Sequence, residues 1–244
     1  MNSVLARREF VPPRPTMRTT APRPSGLTRK ALNRALDELS LKFVIASRTA
    51  KAPVLDFGCG EGVATVAALA RGAHVCAVDS DEADIARLLA RVPSQQHRRL
   101  RARAGSLLEI DFKGVPFDSI HAARVLQEFD GTGVERLLQK FFRWLYPDGR
   151  LFISTLTPRG EFWNAFGREF LRRRVQGARW PGYIEEVSQF TGNDSDAMAL
   201  HLIDRETLRR ELHTAGFAIE EIRCLPLPWD DTQVYCAAIA RCRP

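Results

Sequence analysis

Two carboxylates and three alternating glycines have the types and the spacing that best suit the binding of a small polar ligand. Asp56 lies at the end of the apolar run 53–57, and Gly58, Gly60 and Gly62 follow it. The run predicts a buried parallel strand, and the glycines predict a tight turn before a helix. A Cβ at the turn would keep a ligand away from the main-chain N–H groups. We therefore expect a ligand at this turn.

A second acid, Asp79, ends the apolar run 74–79 and stands 21 positions after Gly58. At that spacing a carboxylate can meet the hydroxyls of a bound ribose. It would accept from both the 2′ and 3′ hydroxyls, which a neutral side chain could not match. The alternative is that Asp79 only caps the helix predicted over 81–92. Val63 stands where a dinucleotide fingerprint needs its third glycine, which disfavours NAD.

The stretch 56–62, DFGCGEG, resembles the first motif of the class I S-adenosylmethionine (AdoMet) methyltransferases, an acid followed by GxGxG. Residues 117–126, FDSIHAARVL, resemble the fourth strand of the same enzymes. The resemblance covers about residues 27–243 and is strongest over 53–126. It implies AdoMet as the cofactor and S-adenosylhomocysteine as the product. It also implies that Asp56 faces the ammonium group of the ligand and that Cys59 contributes only its backbone.

The resemblance implies contacts to the adenine half as well, with two departures from the family. Ser106 stands where relatives carry an acid near the adenine amino group, so recognition would pass partly to the backbone of Ser106 and Leu107. Ser80 stands where relatives usually carry an apolar residue against the adenine ring.

The end of the fourth strand should lie beside the methionine half and the methyl group, because ligands of open α/β sheets bind at the carboxyl ends of strands. Ala123 and Arg124 are the pocket candidates there. Small Ala123 leaves room for the ligand. Arg124 either contacts the substrate or turns outward to pair with an acid.

A general base is needed only if the acceptor is a phenol or a hydroxyl, since an amine or a carboxylate can attack without one. The candidate bases are His201 and Glu128, with capping or a surface position as the alternative for His201. His121 is predicted to be a packed core histidine. No cluster of metal-ligand spacing occurs, so no metal is expected.

These residues require an α/β fold to position them. We predict a Rossmann-like, seven-stranded, mostly parallel sheet with helices on both faces and a terminal antiparallel strand pair. An amphipathic helix is predicted from residue 27 to about residue 47, where it would close the cofactor cleft. The aromatic and arginine-rich segment 158–200 is predicted to be a helical substrate lid.

Charge and composition divide the chain into a tail and a domain. Residues 1–51 hold 11 of the 36 Lys and Arg but only 3 of the 29 Asp and Glu, so the remainder is almost neutral. Residues 1–26 are rich in proline and arginine and are predicted to be a flexible tail, with 27–244 as the AdoMet-dependent domain. No apolar stretch has the length of a membrane span, and we expect a cytoplasmic protein without membrane contact.

The five cysteines form no CxxC pair, which argues against a zinc site or a secreted disulfide framework. Cys76, Cys224 and Cys236 are predicted to be small apolar core residues.

The sequence therefore predicts AdoMet-dependent methyl transfer to an oxygen, nitrogen or carboxylate nucleophile of a small molecule. Two alternatives stay open. One is an RNA or protein methyltransferase that uses the basic N-terminal arm, and the other is a regulatory protein that binds AdoMet without transferring its methyl group.

Overall fold

Seven strands form the main sheet of this protein. The computed structural model describes residues 35–112, 114–191, 198–227 and 230–243. The strands of the sheet are β1 Val54–Phe57, β2 Val75–Asp79, β3 Leu100–Ala104, β4 Phe117–Ala123, β5 Leu145–Gly160, β8 Phe217–Leu227 and β9 Asp230–Cys242. Their order across the sheet is β3-β2-β1-β4-β5-β9-β8. A second sheet pairs β6, Tyr183–Ile184, with β7, Leu200–His201.

The first five strands are parallel, and β9 is antiparallel to both of its neighbours. This arrangement confirms the predicted mostly parallel sheet with its terminal antiparallel pair. Strand β1 lies between β2 and β4, so the chain leaves β1 toward one side of the sheet and later returns on the other. A crevice opens at such a reversal of strand order, outside the carboxyl ends of the strands. The glycine turn follows β1 at that point.

The helices of the main domain are α1 Glu38–Ser47, α2 Val63–Ala70, α3 Glu82–Arg91, α4 Gly131–Trp144, α5 Glu161–Val175, α6 Ser188–Thr191 and α7 Arg205–Thr214. Four of them begin directly after an aspartate whose carboxylate accepts a hydrogen bond from a backbone N–H of the first turn. The four are Asp37, Asp81, Asp130 and Asp204. Such caps satisfy one of the otherwise unpaired N–H groups at each helix start and fix where the helix begins.

Two apolar cores lie on the two faces of the sheet. One joins α1, α2 and α3 to residues of α5, through side chains such as Phe43, Leu69, Leu88 and Phe166. The other joins α4 and α7, through side chains such as Leu137, Phe141 and Leu208. Strands β1, β2, β5, β8 and β9 contribute side chains to both cores, because successive side chains of a strand point to opposite faces. Burial on both faces explains why β1 is apolar apart from Asp56.

The first helix departs from the sequence prediction in the described part of the chain. It begins at Glu38, because Asp37 has an extended backbone and accepts from the N–H of Ser40 at 2.7 Å. The prediction of a helix continuous through residues 35–37 is therefore wrong. Residues 1–34, which hold the predicted tail and the start of the predicted helix, lie outside the described residues, as do 192–197 of the predicted lid.

The segment predicted to be a substrate lid contains α5, α6 and the small β6–β7 sheet, so its described part is helical in the main. Its first residues belong to β5, which runs on to Gly160. Among the described residues, no helix has the length and apolar character needed to cross a membrane.

Candidate functional site

The glycine turn after β1 has the left-handed backbone that its sequence predicts. The φ angles are 74° at Gly58, 53° at Gly60 and 79° at Gly62. The N–H groups of Gly58 and Cys59 both donate to the carbonyl of Val78, at 2.8 and 3.0 Å, which ties the turn to the end of β2. L-residues rarely adopt such angles, so glycine is required at these positions.

The third glycine of the turn has a packing role. A Cβ placed on Gly62 would lie 2.2 Å from Cδ1 of Leu88, a buried side chain of α3. Gly62 is also the N-cap residue of α2. It therefore lets α3 approach the turn closely and sets the position of α2, whereas Gly58 lines the adjoining cleft.

Asp79 is fully buried at the carboxyl end of β2, beside this turn. Its Oδ2 accepts from the N–H of Gly60 at 2.7 Å, and its Oδ1 accepts from the N–H of Asp81 at 3.0 Å. The side chain thus holds the glycine turn in place. The helix α3 is capped by Asp81, so Asp79 is not needed as its cap.

Asp56 is buried at the end of β1 and uses both of its oxygens. Oδ1 lies 2.8 Å from Nδ1 of His121, and Oδ2 accepts from the hydroxyl of Thr65 at 2.6 Å. His121 lies opposite Asp56 in the β1–β4 ladder, which explains the contact.

The hydrogen-bond chain continues from His121 to the first helix. Nε2 of His121 lies 3.0 Å from the hydroxyl of Ser40, and the ring stacks on Phe43 with centroids 4.8 Å apart. The N–H of Ser40 donates to Asp37, whose other oxygen pairs with the guanidinium of Arg124. A continuous polar chain therefore joins β1 and β4 to the N-terminus of α1. His121 is packed, as predicted, but it is also a link in this chain.

Arg124 is the residue after β4, and its side chain turns inward. It is only 2% exposed, and its partner Asp37 is fully buried. Burial opposes ionisation of Asp37, but the charge of Arg124 and the N–H of Ser40 hold the pKa of that carboxyl below its usual value. Arg124 has a φ of 53° and donates its N–H to the carbonyl of Ser154 at 2.8 Å. A left-handed arginine costs on the order of 1 kcal/mol, which its buried contacts offset.

The polar chain lines a cleft at the carboxyl edge of the sheet. The volume of this cleft is about 20 Å3, and Asp56, Gly58, Ser40, Ala123 and Arg124 contribute to its wall. That volume is far below the range of small-molecule sites, so a bound ligand requires the wall of the cleft to open. The cleft combines the left-handed turn, a buried carboxylate and small Ala123, so the residues present fit the methionine half of AdoMet.

The predicted adenine contacts lie farther along the same edge. Ser80 and Ser106 are exposed, and Leu107 is buried. The carbonyl of Ser106 accepts from the N–H groups of Glu109 and Ile110 at 3.0 and 2.9 Å, which forms the turn after β3. The N–H of Gly105 donates to the carbonyl of Asp79 at 2.9 Å, so this turn lies next to the end of β2.

His201 and Glu128 lie near the segment that follows β4. Nδ1 of His201 lies 2.9 Å from the carbonyl of Phe129, and the rings of Trp180 and Tyr183 contact its imidazole edge to face. Burial lowers the pKa of His201 to about 4, so the ring is neutral at pH 7. Its Nε2 is buried and has no hydrogen-bond partner among the described residues. Glu128 is exposed on the 3₁₀ helix Leu126–Glu128.

Three residues that complete this site, Asp37, Ser40 and Thr65, were not predicted from the sequence, and His121 was predicted only to be packed in the core. A signal existed for Asp37, because an aspartate before an amphipathic segment is a typical helix N-cap. Thr65 lies one helical turn beyond the glycines. The pairing of His121 with Asp56 depends on the register of β1 against β4, which no local pattern in the sequence encodes.

Comparison with known proteins adds an independent line of evidence. A family model described as a methyltransferase domain matches residues 27–222. Among curated proteins, no sequence relative matches the chain.

Solved structures share the fold at low sequence identity. The structure of a 1,6-didemethyltoxoflavin-N1-methyltransferase from Burkholderia thailandensis, with 1,6-didemethyltoxoflavin and S-adenosylhomocysteine bound, is 21% identical over 85% of this chain and 78% of its own, with a TM-score of 0.61. A SAM-dependent methyltransferase from Methanosarcina mazei is 17% identical over 86% of this chain and 99% of its own, with a TM-score of 0.64. An N-methyltransferase from Bradyrhizobium japonicum in complex with S-adenosylhomocysteine is 18% identical over 83% of both chains, with a TM-score of 0.55.

Proposed function

The chain belongs to the methyltransferase domain family, and we propose that it transfers the methyl group of AdoMet to an oxygen, nitrogen or carboxylate nucleophile of a small molecule. The observation that carries the proposal is the meeting of three features at one edge of the sheet. These are the left-handed turn at Gly58 and Gly60, the buried carboxylate of Asp79, and the cleft beside Ala123. The two structural neighbours solved with S-adenosylhomocysteine support the choice of cofactor.

In this proposal the cofactor lies along the carboxyl ends of β1, β2 and β4. Asp79 accepts from the ribose hydroxyls while it holds the turn through Gly60. Asp56, fixed by Thr65 and His121, provides negative charge for the ammonium group. The remaining contacts come from the backbone or from small side chains, at Gly58, Cys59, Ser80, Ser106, Leu107, Ala123 and the base of Arg124.

AdoMet, when bound, supplies a methyl group already activated by its sulfonium. The chain therefore has to hold the nucleophile in line with that group and to exclude water. Helix α1 is suited to the second task, since Ser40 lines the cleft and the Asp37–Arg124 pair fixes the start of the helix against β4.

In this proposal the methyl acceptor binds in a second cleft. This cleft lies between the end of β5, α5 and the start of α7. Its volume is about 650 Å3, and Pro158–Gly160, Trp163 and Arg209 are among the residues that line it. It lies at the same edge of the sheet as the glycine turn, because β5 runs parallel to β4 and β1. This larger cleft has the size of a small-molecule site.

The charge of the second cleft indicates the chemistry of the acceptor. Arg174 is paired with Asp204 and Glu206, but the side chains of Arg159, Arg205 and Arg209 make no ion pair or hydrogen bond with the described residues. Trp163, 42% exposed, adds an aromatic surface. A Cβ on Gly167 would lie 2.5 Å from the Trp163 ring, so this glycine lets the indole lie against α5. We therefore favour an acceptor with an anionic group and an apolar or aromatic part.

For acceptors that need deprotonation, His201 and Glu128 remain the candidate bases. The unpartnered Nε2 of His201 can accept a proton because the ring is neutral, although a pKa near 4 makes it a weak base. Glu128 is exposed and reaches an acceptor more readily.

The proposal is tested by incubating the protein and a cell extract with methyl-labelled AdoMet. After separation into small molecules, RNA and protein, we expect the label in the small-molecule fraction, on an anionic product seen by mass spectrometry. Gly60→Val serves as the inactive control. Label in RNA or protein would overturn the small-molecule assignment. Binding of AdoMet with no transfer to any fraction would favour the regulatory alternative.

A further inference from the structure

Two cysteines lie directly opposite each other on the last two strands of the sheet. Cys224 of β8 and Cys236 of β9 are Cα partners in the antiparallel ladder. Cys236 belongs to the core that α7 covers, and Cys224 packs against that core, so both side chains lie on the same face. Their thiols are close enough to hydrogen-bond to each other. Both were predicted from the sequence to be small apolar core residues.

The register places this pair at the closer of the two kinds of cross-strand site. Strand β8 forms the edge of the sheet, and Pro226 lies two residues beyond Cys224. A proline has no N–H to give to a neighbouring strand, so on an edge strand its nitrogen faces away from the ladder. The backbone nitrogen of Cys224, two residues earlier, also faces away from the ladder. Cys224 and Cys236 therefore form a non-hydrogen-bonded pair. The Cα atoms of such pairs are about 4.5 Å apart, within the range that a disulfide spans.

The surroundings divide the two thiols into a reactive one and a protected one. A hydrogen bond from Cys236 lowers the pKa of Cys224 against the effect of burial, and the charges of Arg159 and Arg205 act in the same direction. Cys224 is half-buried, so a small reagent can reach it. Cys236 is fully buried, and its hydrogen bond to Cys224 and its burial raise its pKa.

We propose that Cys224 and Cys236 form a reversible disulfide by exchange with a low-molecular-weight disulfide. The thiolate of Cys224 attacks one sulfur of the reagent, forms a mixed disulfide and releases the first small thiolate. The sulfur of Cys236 then loses its proton, attacks the sulfur of Cys224 and releases the second small thiolate. Two protein thiols are oxidised, and one small disulfide is reduced to two thiols.

The crosslink would act on the strands beneath the acceptor cleft. Cys236 is also the partner of Thr155 in β5, and β5 continues to Pro158–Gly160 at that cleft. A covalent link between β8 and β9 restricts the unfolded chain. The cofactor residues lie on other strands. Oxidation should therefore stabilise the protein and leave cofactor binding unchanged.

The test treats the reduced full-length protein with oxidised glutathione and then removes the reagent. We expect the number of titratable thiols under denaturing conditions to fall from five to three. The intact mass should fall by roughly 2 Da, for two hydrogens lost, and digestion should give one linked peptide pair containing Cys224 and Cys236. The melting temperature should rise by roughly 5–10 °C and return on reduction.

Single variants separate the two sulfurs. Cys224→Ser should retain every remaining thiol, whereas Cys236→Ala should stop at a mixed disulfide on Cys224. Cys76→Ser is the matched control, because Cys76 is partly buried on β2, and it should form the link as the unmodified protein does. If Cys236→Ala fails to fold, Cys224→Ser, a substitution at a half-buried position, still tests whether the remaining thiols resist the reagent. Five thiols after treatment, a persistent mixed disulfide in the unmodified protein, or a link between other cysteines would each overturn the proposal. These readouts do not depend on the proposed methyl transfer.

Discussion

Arg124 and Asp37 form a buried ion pair that joins the end of β4 to the N-cap of α1. Both side chains are almost fully buried, at 2% and 0% exposure. Asp37 is therefore the acid that pairs with Arg124, and the pair fixes the helix that borders the cleft beside the glycine turn.

Replacing Arg124 with alanine should leave the carboxylate of Asp37 buried without its charge partner. The free energy of unfolding should fall by about 3–5 kcal/mol, as measured by denaturant titration. Arg174→Ala is the matched control, because its pair with Glu206 is at the surface, and it should cost less than about 1 kcal/mol. Equal losses of unfolding free energy in the two variants would show that the Arg124–Asp37 pair stabilises the fold no more than a surface pair does.

Asp79→Asn should weaken AdoMet binding by about 1–3 kcal/mol, because the hydroxyls lose their charged acceptor. Asparagine is preferred to alanine, since its oxygen can still accept from the N–H of Gly60 and so preserve the turn. Asp81→Asn, two residues away, keeps the cap of α3 and should bind AdoMet as the unmodified protein does. An unchanged affinity in Asp79→Asn would remove Asp79 from the site.

The glycines of the turn should divide into two classes when they are replaced. Gly58→Val and Gly60→Val should abolish AdoMet binding, because the side chain strains the turn and occupies ligand space. Gly62→Ala should lower the melting temperature instead, since its Cβ would overlap Leu88. Gly114→Ala is the control: its φ is also positive, but its Cβ would meet open space. Normal binding by a folded Gly60→Val variant would contradict the assignment.

The burial of His201 should make stability depend on pH. Its pKa falls from 6.5 to about 4 on folding, so between those values the unfolded chain binds a proton that the folded chain does not. Stability is then present above pH 6.5 and lost as the pH falls toward 4, by roughly 3 kcal/mol. His201→Asn can still donate to the carbonyl of Phe129, and denaturant titrations should show a shallower loss over this window. Identical pH profiles would contradict the burial of a neutral ring.

Features formed by residues close together in the chain could be predicted from the sequence, whereas features that join distant segments could not. The turn at Gly58–Gly62 and the acid at Asp79 are short-range patterns, because strand, turn and helix follow one another in the chain. The pairing of Asp56 with His121, and of Cys224 with Cys236, arises from strand register between distant segments. The inward turn of Arg124 depends on where Asp37 begins α1. Neither burial nor partner could be obtained from the spacing of these residues.

The central claim is that the turn after β1 binds AdoMet, and a calorimetric titration of the purified protein with AdoMet and with S-adenosylhomocysteine tests it most directly. We predict that both ligands bind at one site, that they compete with each other, and that Gly60→Val removes the binding of both. Absence of heat with either ligand at concentrations that saturate other class I methyltransferases, in a sample shown to be folded, would contradict the claim.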